Sequence, residues 1–152
     1  MNEVQLMAGK SPFKVKNIMI MGGGKIGRLL ARSLEDEYNV KLLEKNIEKA
    51  EYISDKLKNT LILTDDGLDV DFLESENISS LDCFIAVTEN EQINIMTSLL
   101  IKHYGVKQVI VHINSTSFFK VVRRIGVDAV ISKNTSAVNE VLNIIRSDED
   151  KL

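Results

Sequence analysis

From Asn17 onward, short runs of aliphatic residues alternate with longer segments in which apolar residues recur every three to four positions. The short runs are Ile18 to Met21, Val40 to Leu43, Leu61 to Leu63, Cys83 to Val87, Val109 to His112 and Ala129 to Ile131. They are almost continuously apolar instead of alternating, the pattern of parallel strands covered on both faces. Six strands separated by helical segments predict βαβ units, hence an α/β fold with a doubly wound, six-stranded parallel sheet and helices on both faces.

The longer segments each carry one apolar stripe at helical spacing. Ile26, Leu29, Leu30 and Leu34 form the first, and Ile47, Ala50, Ile53 and Leu57 the second. Asp69 is positioned to cap a short helix bearing Val70 and Leu73, and Asn90 a longer one bearing Ile93, Met96, Leu99 and Leu100 that ends at Gly105. Phe118, Val121, Val122 and Ile125 mark a fifth helix stopped by Gly126; Val138, Val141, Leu142 and Ile145 mark a sixth, starting after Asn134 or Thr135. These stripes are packing faces and carry no chemistry. Residues 1–15 read as a linker or leader around the only proline, Pro12, residues 16–146 as one domain, and residues 147–152 as a polar tail. Both ends are places where a longer chain could have been cut.

Chemistry concentrates where the first strand meets the first helix. Gly22-Gly23-Gly24-Lys25-Ile26-Gly27 has the spacing G-x-G-x-x-G in the context that gives this motif its meaning, directly after a strand and directly before a helix. The first glycine permits the tight turn, the second lets the backbone approach a pyrophosphate, and the third lets helix and strand pack closely. Free amides at the helix N-terminus then face the phosphates. Glu44 ends the second strand about 20 residues further on, where a carboxylate accepts hydrogen bonds from ribose hydroxyls and repels the 2′-phosphate of NADP; Lys45 stands beside it. Asp65 and Asp66 follow the third strand and Thr88 the fourth, so all three border the crevice outside the strands' C-terminal ends. The fold expected is therefore a Rossmann fold, with NAD or NADH as the first candidate ligand.

Composition narrows the choice. The chain of 152 residues is 44% hydrophobic and 27% charged, as a soluble domain of ordinary size should be. A net charge of −3 offers no basic field for a phosphate backbone, which excludes nucleic acid as the main partner. A lone cysteine, Cys83, sits in a strand run and reads as core. No apolar stretch reaches the roughly 20 residues of a membrane span and no signal-peptide core is visible, so a cytoplasmic location without membrane insertion is expected. Neither metal-ligand spacing nor a Ser-centred nucleophile elbow occurs, and only His112, at the end of the fifth strand, stands where an acid or base for hydride transfer would be wanted. Binding without turnover is the leading reading. The cofactor domain of an NAD-dependent oxidoreductase is the alternative, and a SAM-dependent methyltransferase a third.

The motifs together resemble the regulatory domain of bacterial Trk and Ktr potassium uptake systems, the RCK N-terminal, KTN or TrkA-N domain. The likeness runs from about Lys16 to Ile145 and rests on Ile18-Met19-Ile20-Met21 with the glycine turn, Val40-Lys41-Leu42-Leu43-Glu44-Lys45-Asn46, Lys49-Ala50-Glu51-Tyr52-Ile53, Asn59-Thr60-Leu61-Ile62-Leu63, Asp66 and Asp69, and Ala86-Val87-Thr88-Glu89-Asn90-Glu91-Gln92-Ile93-Asn94-Ile95-Met96. Gly126-Val127-Asp128-Ala129-Val130-Ile131-Ser132 continues it. The resemblance implies a nucleotide sensor for NAD(H) or ATP/ADP, peripheral to the inner face of the membrane. It further implies homo-oligomers or tandem RCK domains, and a membrane potassium-translocating subunit as partner. It places Gly22, Gly24, Lys25, Ile26 and Gly27 at the phosphates, Glu44 at the ribose, Asp66 on the adenosine side and Thr88 at the cleft rim. Two departures stand out. Asp65-Asp66-Gly67-Leu68-Asp69 replaces the usual Gly-Asp-Ala-Thr-Asp, and His112 stands where an arginine is common.

Overall fold

The structure is a computed structural model that describes residues 14–115, 118–132 and 135–150. Its elements alternate as expected: β1 (Asn17–Met21), α1 (Lys25–Leu34), β2 (Asn39–Leu43), α2 (Ile47–Ser54), β3 (Leu61–Leu63), α3 (Val70–Ser75), a 3-10 turn (Ile78–Ser80), β4 (Cys83–Ala86), α4 (Glu91–His103), β5 (Gln108–His112), α5 (Phe119–Ile125), β6 (Ala129–Ile131) and α6 (Ala137–Asp150). All five strand pairings are parallel, and the order is β3-β2-β1-β4-β5-β6. This is the Rossmann order, with the chain reversing direction across the sheet between β1 and β4.

Successive strand residues feed two cores. Ile18, Ile20, Leu42, Ile85 and Ile110 pack against Leu30, Ala31 and Leu34 of α1, Ile53 of α2, and Val141 and Ile145 of α6. Met19, Met21, Phe84, Val109 and Val111 face the other way, onto Leu73 of α3, Ile101 of α4 and Val122 of α5. The sheet is thus covered by α1, α2 and α6 on one side and by α3, α4 and α5 on the other.

Caps fall where short polar side chains precede the stripes. Asp69 and Asn90 accept the amides of Phe72 and Ile93 at 3.2 and 3.0 Å. Asn46, which the hydrophobic pattern did not single out, does the same for Lys49 at 3.0 Å. Gly105 and Gly126 follow α4 and α5 with φ of +90° and +119°, left-handed values that a side chain would resist. The last helix begins at Ala137 and runs to Asp150, so it takes in residues 147–150. Most of the expected leader and residues 134, 151 and 152 lie outside the described residues. Val15, counted with the leader, is buried in the first core.

Two carboxylates tie loops to the frame. Glu35, 7% exposed at the end of α1, accepts the amides of Lys58 and Asn59 at 3.1 and 2.8 Å and the Thr60 hydroxyl at 2.9 Å. It therefore holds the α2–β3 connection in place. Burial alone would push its pKa up, but the hydrogen bonds from Asn59, Thr60 and Lys58 outweigh burial and hold the carboxyl below its ordinary value. At the same, N-terminal end of the sheet, Asp82, just before β4, accepts the amides of Lys16 and Asn17, each at 2.9 Å, and so fixes the entry to β1.

Candidate functional site

The C-terminal ends of β1, β2, β3 and β4 open into a cleft of ≈ 300 Å³. Gly22, Gly23 and Gly24 form its floor, Glu44, Lys45 and Lys49 one wall, Asp65, Asp66 and Gly67 the next, and Thr88, Glu89 and Asn90 the third. Eight of the eleven residues singled out in the sequence meet here. The other three stand just behind: Lys25 is exposed on α1 and lines a neighbouring groove, Ile26 packs against the first core, and Gly27 is buried. What they offer the cleft is backbone, since the amides of the first helical turn have no intrahelical acceptor.

The glycines are constrained differently. A Cβ on Gly27 would lie 1.8 Å from the Gly22 carbonyl oxygen, and one on Gly22, whose φ is +119°, would lie 2.9 Å from the backbone of Val87 and Thr88. A Cβ on Gly23 would meet Ile53 and the Glu44 carboxylate. Around Gly24 there is nothing within 4 Å. The chain's own packing thus forbids side chains at three positions, while the fourth, at the N-cap of α1, faces open space. No acidic residue occupies the first turn of α1, so the positive end of the helix dipole is not neutralised from within the helix.

Glu44 is 8% exposed, and its two oxygens are separately committed: Oε1 accepts the Gly23 amide and Oε2 the Asn46 amide, both at 2.9 Å. Lys49 Nζ lies 4.0 Å from Oε1. This fixes the carboxylate across from the glycine turn, and each oxygen keeps a second lone pair for a hydroxyl. Asp66 accepts the Leu68 amide at 3.0 Å and Asp65 the Asp66 amide at 2.7 Å, so both shape their turn as well as lining the cleft. A Cβ on Gly67 would fall 2.3 Å from the Met21 sulfur, so a side chain there would have to displace that methionine.

Thr88 is held by a residue to which the sequence reading gave no role. Asn94, fully buried on α4, accepts the Thr88 amide at 3.0 Å and the Thr88 hydroxyl at 2.6 Å. Its own amide group donates to the carbonyls of Thr88 and His112 at 3.0 and 3.1 Å. A polar residue inside the apolar stripe of a helix beginning at a strand end was the available signal. His112 does not line the cleft; it is buried, with Nε2 lacking a hydrogen-bond partner among the described residues.

A parallel sheet of this order, with a glycine turn opening on bare helix amides and an acid fixed opposite it, defines a Rossmann-type nucleotide-binding domain. The TrkA-N domain family matches residues 18–133, and the chain belongs to that family. It is 38% identical over 146 residues, 96% of its length, to the Trk system potassium uptake protein TrkA of Vibrio alginolyticus, of which that match spans 31%. The chain covers about a third of the length of such relatives. Two solved structures share the fold. The GsuK channel bound to NAD matches at a TM-score of 0.67 and 16% identity, over 80% of this chain and 22% of that one. GsuK bound to ADP matches at 0.66 and 19%, over 87% and 34%. No helix among the described residues is long and apolar enough to cross a membrane.

Proposed function

We propose that this chain is a nucleotide-sensing regulatory domain of a Trk-type potassium uptake system, with NAD or NADH as its ligand and ATP or ADP as the second candidate. The observation that carries this reading is the contrast within the turn. Gly24 has room that the protein does not use, beside uncompensated helix amides and opposite a carboxylate fixed 2.9 Å from Gly23 N. Open space and unpaired donors suit a bridging diphosphate. The phosphates would lie on Gly22, Gly23 and Gly24 and on the amides of Lys25, Ile26 and Gly27. Glu44 would take the ribose with Lys45 at its side, Asp65 and Asp66 would take the adenosine end, and Thr88 would border the phosphates.

The domain would occupy residues 16–146 with the continuation of α6, and assemble as a homo-oligomer or beside a tandem RCK domain. Its partner would be a membrane potassium-translocating subunit at the cytoplasmic face, and its role regulatory rather than enzymatic. Two nucleotide states that bind two domain arrangements with affinities differing by about 1–3 kcal/mol per site would shift the transporter between states, because only differential affinity moves such an equilibrium. Calorimetry with NAD, NADH, ATP, ADP and SAM tests this. One of the first four should bind, and Gly24→Asp and Glu44→Ala should each weaken it by about tenfold or more. Binding that survives both changes refutes the site, and preference for SAM refutes the ligand class.

A further inference from the structure

Lys25, Arg28, Leu29 and Arg32 lie at positions i, i+3, i+4 and i+7 of α1 and so share one face of that helix. With Tyr52 and Lys56 they line a groove of ≈ 310 Å³. The Tyr52 ring is half-exposed, with the Arg28 guanidinium carbon 5.9 Å and Lys56 Nζ 5.3 Å from its centroid. Among the described residues no carboxylate forms an ion pair with any of these four cations. Four like charges lining one groove, two of them beside its aromatic ring, repel one another, and an incoming anion relieves that repulsion. Arginine and tyrosine are also the residues enriched at protein–protein contact centres.

The rest of the chain supplies the complement. From Asn59 to Ile101 there is no lysine or arginine and there are nine acidic residues, in a protein whose net charge is only −3. Asp66, Asp69, Asp71 and Glu74 of this stretch are exposed on α3 and the turn before it. Helices α1 and α2 cover one side of the sheet and α3 the other, so the basic groove and the acidic surface point in opposite directions.

We infer that the α1–α2 groove is a docking surface for a second copy of this chain, which presents its α3 acidic surface. Because the two patches differ and lie on opposite sides of the sheet, the contact is head-to-tail and repeats from copy to copy until it closes or is capped. Charge sets the orientation and Tyr52 with Leu29 supplies the apolar centre. The inference deepens the assembly part of the proposed function and rests on it, while owing nothing to the identity of the nucleotide.

Sedimentation velocity of the whole chain at about 50 mM and about 500 mM salt, where the screening length falls from about 14 Å to about 4 Å, gives the first test. Species heavier than the 17.1 kDa monomer should form at low salt and dissociate at high salt, with at least a tenfold loss of affinity. Arg32→Glu with Lys56→Glu should leave a monomer, and so should Asp71→Lys with Glu74→Lys. All four changes in one chain should restore association, which a merely misfolded variant would not do. A wild type that stays monomeric at low salt overturns the inference, as does association indifferent to either reversal or not restored by combining them. Capture of monomeric wild type by phosphatidylglycerol vesicles or by inorganic pyrophosphate through Arg32 and Lys56 also overturns it, assigning the groove to lipid or phosphate. Calorimetry keeps the questions apart: the charge-reversed monomers should still bind NAD, whereas a wild type that binds NAD and stays monomeric at low salt sinks this inference alone.

Discussion

Asn94→Leu removes four hydrogen bonds while nearly conserving side-chain volume, and so isolates what the buried amide contributes. The bonds at 2.6, 3.0, 3.0 and 3.1 Å join Thr88 at the end of β4 to His112 at the end of β5. A hydrogen bond of this kind contributes about 1 kcal/mol net, and a buried partner left without one costs about 1–3 kcal/mol. Thr88 is half-buried and recovers water at part of that cost, whereas the His112 carbonyl lies at a fully buried contact. The expected loss is about 3–4 kcal/mol, a large share of the roughly 5–15 kcal/mol that keeps a domain folded. Urea denaturation followed by far-UV circular dichroism should show a lower midpoint at unchanged m-value. Asn90→Ala, which removes only a cap at the exposed start of the same helix, should cost about 1 kcal/mol and serves as the control. A loss below about 1 kcal/mol for Asn94→Leu, or one equal to the control, would refute the claim that this amide holds the third wall of the cleft.

Three further outcomes follow from the same geometry. The Glu35 carboxyl has a folded-state pKa below its ordinary 4.5, so its stabilisation is complete above that value and is lost as pH falls through the lower folded value; Glu35→Gln should cost about 2 kcal/mol at pH 7 and flatten the acid limb of the stability profile, read by thermal melts between pH 2 and 7. Gly27→Ala should unfold or destabilise the protein by about 3 kcal/mol or more because its Cβ meets rigid backbone, whereas Gly24→Ala should cost about 1 kcal/mol or less; equal losses in a denaturant titration would contradict the packing described for the turn. Among the described residues the buried Thr97 hydroxyl has no hydrogen-bond partner, so Thr97→Val should raise stability by about 1 kcal/mol, and a drop in melting temperature would show that the hydroxyl is satisfied.

The six strands, the helices between them and the glycine turn with its acid were legible because each depends on local pattern. Continuous apolar runs announce strands buried on both sides, and the glycine spacing matters only between a strand and a helix. What escaped were contacts made by polar groups far apart in sequence. Glu35 reads as one of three consecutive acids at a helix end, and nothing local shows that it, rather than Asp36 or Glu37, turns inward to meet residues 58–60. Asn94 reads as a polar interruption in a stripe until β5 is placed beside it. The second role of Glu44, bracing Gly23, needed the distance between them and not only the spacing. The end of α6 escaped for a different reason: residues 147–150 read Ser-Asp-Glu-Asp, and the helix continues through them without an apolar residue in the sequence to mark it.

The unequal demands on the turn bear on how such motifs persist in descent. Gly22 and Gly27 are imposed by the protein on itself, so a descendant that had abandoned its ligand would still be obliged to retain them. Only Gly24 is free to drift once nothing occupies the space before it. In a distant cousin, then, the outer pair testifies to architecture, and the middle position alone records whether the vocation survived.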